Sequence, residues 1–174
     1  MTAFQSLHNR DMEMKENLEI LPYSEKYADA VASLTVEAWT PIREKYREIL
    51  GDELYLLEFE NWKAVKTRKV LEKMSTGRGF VAVIDGELAG FIHYSMSEDG
   101  LSGEIGNNAV SSKFRGQGIA QVMYSFVLEK MKSEGAEYAT VVTGLDDAHA
   151  PARRSYEKAG FDRGLPSVKY YKKI

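Results

Sequence analysis

At 174 residues, with 44% hydrophobic and 28% charged side chains, the chain has the composition of a folded domain and can bury roughly 70% of its unfolded surface around one core. It contains no cysteine, which excludes disulfides, thiolate nucleophiles and cysteine-held metal. The net charge of −3 argues against a general affinity for polyanions, so no nucleic-acid partner is expected, and it would suit a cationic acceptor.

Met1 to Asn17 is polar and mixed in charge, which reads as a flexible tail and is too polar for a signal peptide. No apolar run approaches the roughly 18 residues of a membrane span. A cytoplasmic protein without membrane contact is expected. Leu18 to Leu21 reads as a first strand. Ser24 is a suitable N-cap for a helix carrying Ala28, Val31, Ala32, Leu34 and Thr35 toward Trp39. Pro41 is expected to break that helix and start another over Ile42 to Leu50, stopped by Gly51. A longer helical stretch is predicted from Glu53 to Met74.

Gly79 to Ile84 and Leu88 to Met96 read as strands joined at Asp85-Gly86, a dipeptide that favours the tight hairpin turn. Glu98-Asp99-Gly100 turns the chain into a third strand, Glu104 to Val110. Ile119, Val122, Met123, Phe126, Val127 and Met131 then recur at helical spacing. Tyr138 to Thr143 reads as a buried strand, and a helix starting near His149 or Pro151 ends at Gly160. Ser167 to Lys173 alternates like a last strand. The expected fold is a three-layer α+β domain over residues 18–174, with a mixed, mostly antiparallel sheet of roughly six to seven strands and helices on both faces.

The most informative stretch is Arg115-Gly116-Gln117-Gly118-Ile119-Ala120, a glycine-rich turn between a strand and a helix. Main-chain N–H groups at such a turn lack intrahelical partners and lie at the positive end of the helix dipole. That arrangement binds phosphate. Glycine keeps Cβ atoms away from a pyrophosphate and permits φ > 0. The loop ends Gly-Ile-Ala, without the Gly-Lys-Ser/Thr of a nucleoside triphosphate loop, and it lacks the third glycine of a dinucleotide fingerprint.

The segment from about Leu88 to Phe161 resembles the cofactor half of the GNAT superfamily of acyl-CoA-dependent N-acyltransferases. Its Arg/Gln-x-x-Gly-x-Gly/Ala loop is matched by Arg115, Gly118 and Ala120, and its later helix by the run from His149 to Phe161, which contains Ala152, Tyr156-Glu157-Lys158 and Gly160-Phe161. His149 stands where the family more often has asparagine. The resemblance implies acetyl-CoA as co-substrate, held by residues 115–120 with Val110, His149, Ser155 and Tyr156. It also implies direct attack of an amine on the thioester.

That reaction needs a base for the amine, a donor for the oxyanion and an acid for the departing thiolate. An amine with a pKa near 10.4 costs roughly 4.6 kcal/mol to deprotonate at pH 7, and a protein α-amine near 7.8 only about 1. Tyr156 is the expected acid, since a phenol is still protonated at neutral pH. Glu104, opening the strand beside the loop, is the candidate base acting through a water, against the alternative of a solvated charge. Val110 would offer a main-chain N–H to the arm or the acetyl carbonyl.

Asn107 and Asn108 could hold substrate or water, or mark a β-bulge. His149 could contact the cofactor arm, act as a second base or cap a helix, and Ser155 could contact the cofactor or be solvated. Trp39, with Tyr46, Tyr55, Phe59 and Trp62, belongs either to the core or to the acceptor groove. No spacing suggests a metal. The acceptor is expected to be a small-molecule or peptide amine. A catalytically silent acyl-CoA-binding module is the alternative, and a homodimer through the last strands fits an exposed sheet edge.

Overall fold

A computed structural model describes residues 17–174; the expected flexible tail lies almost wholly outside the described residues. The strands are β1 (Leu18–Pro22), β2 (Gly79–Ile84), β3 (Glu87–Met96), β4 (Ser102–Val110) and β5 (Tyr138–Val141). The α-helices are α1 (Ala28–Phe59), α2 (Trp62–Met74), α3 (Ile119–Ser133) and α4 (Ala150–Lys158). The strands form one sheet in chain order, β1-β2-β3-β4-β5. The first three pairings are antiparallel and β4–β5 is parallel.

Helices cover both faces, as the continuously buried runs of β2 and β3 require. On one face Ala82, Ile92, Tyr94 and Ile105 pack with Ile119, Met123, Val127 and Met131 of α3, and Tyr156 of α4 joins them. On the other, Val81, Val83, Phe91 and Ala109 pack with Val31 and Leu34 of α1 and Val70 and Met74 of α2. Each such buried Val, Leu, Ile, Phe or Met side chain contributes about 1.5–3 kcal/mol relative to exposure, so the sheet is pinned from both sides.

The hairpin forms as the sequence predicts, with Asp85 at φ 51° and Gly86 at φ 81°. Gly160 ends α4, and Phe161 N–H donates back to the Tyr156 carbonyl at 3.1 Å.

Other expectations are corrected. The sheet has five strands, not six to seven. Residues 161–174 form no strand, because their apolar side chains have no surface to bury: Leu165, Val168, Tyr170 and Ile174 are all exposed. Ion pairs of Lys169 with Glu58 and Lys173 with Glu53 lay this tail along α1 instead. The strand on which the expected dimer depends is therefore missing. Pro41 does not break its helix. Neighbouring packing holds the run together, with Trp39 stacked on Phe91 at 6.5 Å and Thr40 Oγ1 donating to the Val36 carbonyl at 2.7 Å. The interruption falls at Gly51 (φ 73°, ψ 165°), and a second break near Asn61 divides the expected Glu53–Met74 stretch.

Two features of β4 position the site. Its register with β3 shifts around His93, so Gly106 and Asn107 form a bulge between the pairs Tyr94–Ile105 and Ile92–Asn108. The extra residue reverses the alternation beyond Ile105, so that Asn108 shares the α3/α4 face with Ile105 and Asn107 takes the α1/α2 face. β4 and β5 also part company after Ile105–Val141, which leaves Gly106 to Val110 lining a cavity. A Cβ on Gly106 would lie 1.9 Å from the His93 ring. Gly106→Ala is therefore expected to lower unfolding stability by roughly 1–3 kcal/mol. Urea denaturation checks it: a lower midpoint at unchanged slope is the expected result, and an unmoved midpoint shows that the ring swings aside.

Candidate active site

The cavity has a volume of about 1120 Å³ and runs from the Arg115–Gln121 loop, past the open edge of β4, to α1 and α2. Gly116 (φ 80°) and Gly118 (φ 81°) both take the left-handed backbone, which L side chains adopt only under strain. Gly118 is the N-cap of α3, and the first helical bond recorded there is Val122 N–H to the Gly118 carbonyl at 3.2 Å. Among the described residues, no main-chain N–H from Arg115 to Gln121 donates to an internal acceptor. A polyanion fits this row of open donors at a helix start.

Side chains anchor the loop from outside. Ser112 N–H donates to Glu37 of α1 at 2.7 Å, and Arg115 Nε donates to the Val110 carbonyl at 3.3 Å. The rest of the Arg115 guanidinium stays half exposed at the cavity rim, 4.0 Å from Glu37. Gln117 Oε1 is buried with no hydrogen-bond partner, an acceptor left open in the same loop. Gln121 ties α3 to α4 by donating to the Ser155 carbonyl at 2.9 Å and lies near its hydroxyl at 3.2 Å.

On the α3/α4 face, Asn108 sits between two phenols. Its Nδ2 donates to the Gly106 carbonyl at 3.1 Å and to the Tyr156 hydroxyl at 3.0 Å, while its Oδ1 accepts from the Tyr124 hydroxyl at 3.0 Å. The Gly106 carbonyl can only accept, which fixes the amide's orientation. The Tyr156 oxygen is thus held as an acceptor, and its own proton is free to point into the cavity. Burial pushes the Tyr156 phenol above its ordinary value, and pushes Tyr124 up further. Both stay protonated at neutral pH.

On the α1/α2 face, His93 Nε2 accepts from Asn107 N–H at 3.0 Å, with Asn107 Nδ2 also 3.0 Å away. Burial, with Lys73 and Lys66 nearby, pulls His93 down to about 4. The ring is neutral and its acceptor nitrogen is occupied, so it holds the bulge. Lys66 Nζ donates to Asn107 Oδ1 at 2.5 Å and lies 4.1 Å above the Trp39 ring. Burial and the nearby Arg43 and Lys69 pull Lys66 down to about 8.

Of the aromatics read from the sequence, Trp39 lines the cavity. Tyr46, Phe59 and Trp62 gather instead around the Arg43 guanidinium, and Tyr55 is core. Glu104 is exposed on the α1/α2 side, at the outer end of the cavity. His149 lines the cavity, but its ring makes no capping bond; Nδ1 contacts Asp146 at 2.7 Å, and Asp146 accepts from Ala148 N–H.

The cavity therefore collects Trp39, Glu104, Asn107, Asn108, Val110, Arg115, Gly116, Gly118, Ile119, Ala120, His149, Ser155 and Tyr156; Gln117 stands in the loop with its side chain turned inward. Sequence reasoning missed Lys66, His93, Gln121 and Tyr124. A glycine followed by two asparagines in a strand was the available signal for the bulge. A lysine in a polar helix gave none.

The sign of the His93 effect sets a test. Between pH 6.5 and 4 the unfolded chain takes up a proton that the folded chain refuses, so stability is lost as pH falls through that window, by on the order of 3 kcal/mol. Wild type is expected to lose more stability across this range than His93→Gln, measured by denaturant titration at each pH. Equal losses would mean that the ring is protonated without penalty.

The acetyltransferase (GNAT) family model matches residues 35–161. The zebrafish (Danio rerio) N-acetylaspartate synthetase is 35% identical over 89 residues, covering 51% of this chain and 31% of that protein. The rat (Rattus norvegicus) protein of the same name is 34% identical over 82 residues, covering 47% and 27%. The chain thus spans less than a third of the length of these curated relatives. Among solved structures, PaiA N-acetyltransferase from Thermoplasma acidophilum in complex with coenzyme A superposes with a TM-score of 0.64 at 17% identity, covering 81% of this chain and 87% of that one. An aminoglycoside N-acetyltransferase in complex with CoA gives 0.59 at 16% identity, covering 90% and 95%. These two likenesses concern the fold. With the family model spanning most of its length, the chain belongs to the acetyltransferase (GNAT) family.

Proposed function

We propose that the chain transfers the acetyl group of acetyl-CoA to a primary amine by direct attack within a ternary complex. The observation that carries this reading is that the unclaimed amides of Arg115–Gln121 and the Tyr156 hydroxyl open into one cavity. The loop amides would take the diphosphate, with the α3 dipole adding to the attraction. Ser155 and His149, on the α4 side, would flank the arm. The open edge of β4, ending at Val110, would align the arm by main-chain bonds and polarise the thioester carbonyl.

Glu104 would take the ammonium proton through a water, freeing the lone pair to attack the carbonyl carbon. As the tetrahedral centre collapses, the C–S bond breaks and Tyr156 gives its proton to the sulfur, while the second nitrogen proton leaves the new amide and restores the phenol. Asn108 supports that step by donating to the phenolic oxygen, which stabilises the phenolate left behind. Asn107, on the opposite face of the strand, would face the acceptor beside Trp39. The names of the relatives point to acceptors of opposite charge, aspartate in one case and aminoglycosides in the other.

Tyr156→Phe tests the acid role. It is expected to lower kcat by roughly 100-fold or more, while calorimetric affinity for CoA stays within about twofold, because the lost proton serves only the transition state. Undiminished kcat would remove Tyr156 from the chemistry. CoA binding with no turnover of any amine by wild type would favour a silent acyl-CoA-binding module.

A further inference from the structure

The two faces of β4 divide the cavity into two chemical environments. Asn108 looks toward Tyr156, and Asn107 looks toward Lys66. On the Asn107 side the charges are unbalanced. Lys66 and Lys73, two turns apart on α2, both line the cavity, whose carboxylates are Glu104 on β4 and Asp147 beside His149. Among the described residues neither lysine has an ion-pair partner. Arg43 and Lys69 stand close enough to act on Lys66, and Arg43 has its own Nε buried without a partner.

A half-buried ammonium among like charges is costly unless an anion reaches it. This one is also held in place. His93 accepts from Asn107, Asn107 Oδ1 accepts from Lys66, and the Trp39 face supports the ammonium from the side. An ammonium has three donors, and the Asn107 bond uses one. The remainder face a cavity that supplies no carboxylate at that point.

We propose that the acceptor is an amine bearing a carboxylate, and that Lys66, positioned by the His93–Asn107 pair, receives that carboxylate. The assignment rests on the acetyl-transfer reading and narrows it to one substrate class. An amino acid presents its two charges in the matching sense. Its carboxylate turns to Lys66 while its ammonium meets Glu104, the group that takes its proton. A polyamine or aminoglycoside would bring like charge to Lys66 and Lys73, so the mildly acidic composition misleads about this site: the cavity is locally basic.

The test is thiol release from acetyl-CoA with aspartate, aspartate diamide, a short peptide with aspartate first and an amidated C-terminus, and a diamine, using wild type, Lys66→Met and Lys66→Arg. Wild type is expected to favour aspartate or the acidic peptide over the diamide and the diamine by at least roughly tenfold in kcat/KM. The better of the two assigns the carboxylate to a free amino acid or to a peptide's first side chain. Lys66→Met should raise KM for the acidic acceptor by roughly 10- to 100-fold, the loss of one charge-assisted hydrogen bond. It should also erase the preference for acid over amide and leave KM for acetyl-CoA within about twofold, while Lys66→Arg keeps the preference. Turnover of the diamide or diamine as fast as the acids, or an acid preference that survives in Lys66→Met, overturns the proposal and leaves acetyl transfer standing. No turnover of any amine in the panel overturns both.

Discussion

The separation of β4 from β5 is the constraint on which the rest of the site depends. Four residue pairs hold the two strands together, and beyond Ile105–Val141 they diverge. A parallel edge left open would ordinarily be a liability, because its N–H and C=O groups lack partners. Here the opening is where a thioester arm can lie. The bulge at Gly106–Asn107 falls at the same point and sets which asparagine lines which wall. One asparagine addresses Tyr156, the proposed acid, and its neighbour addresses Lys66, the lysine that would meet the acceptor. The Gly106–His93 contact is what makes the bulge specific, since no side chain larger than hydrogen fits beside the ring.

The helix that follows supplies the second requirement. α3 is fixed on the sheet by residues at helical spacing, Ile119, Met123, Val127 and Met131, all buried. Its N-terminus cannot drift away from the open edge, so the loop amides and the β4 edge form one continuous surface. Glu37 extends the same logic across the molecule, because its bond to Ser112 N–H links α1 to the start of the loop. The wall carrying Trp39 and Lys66 is thereby tied to the wall formed by the loop. Two left-handed glycines and an unsatisfied Gln117 are tolerated at this junction, as expected where local geometry serves ligand binding.

Local signals carried much of this into the sequence. Loop glycines, the Tyr156 helix, the Asp85-Gly86 hairpin and the Gly160 stop each depend on neighbours within a few residues, and each is found where its chemistry puts it. What was not legible depends on long-range partners. Lys66 and Asn107 are 41 positions apart, and Asn108 and Tyr156 are 48 apart. No periodicity encodes such meetings. Pro41 misled because proline's cost to a helix was weighed without the packing of Trp39 and the Thr40 back-bond that offset it. Ser167 to Lys173 misled because alternation alone is not enough for a strand, which also needs an edge to pair with and a face to bury.

The proposed transferase stands or falls on whether the main-chain amides from Arg115 to Gln121 grip a diphosphate. Titration of isotopically labelled protein, followed by amide resonances, tests it most directly when CoA is compared with pantetheine, the arm without its diphosphate. Large saturating shifts centred on Arg115–Gln121 with CoA, and none there with pantetheine, are the predicted result. Those resonances staying in place at saturating CoA, or moving equally with pantetheine, would rule out a diphosphate site in this loop.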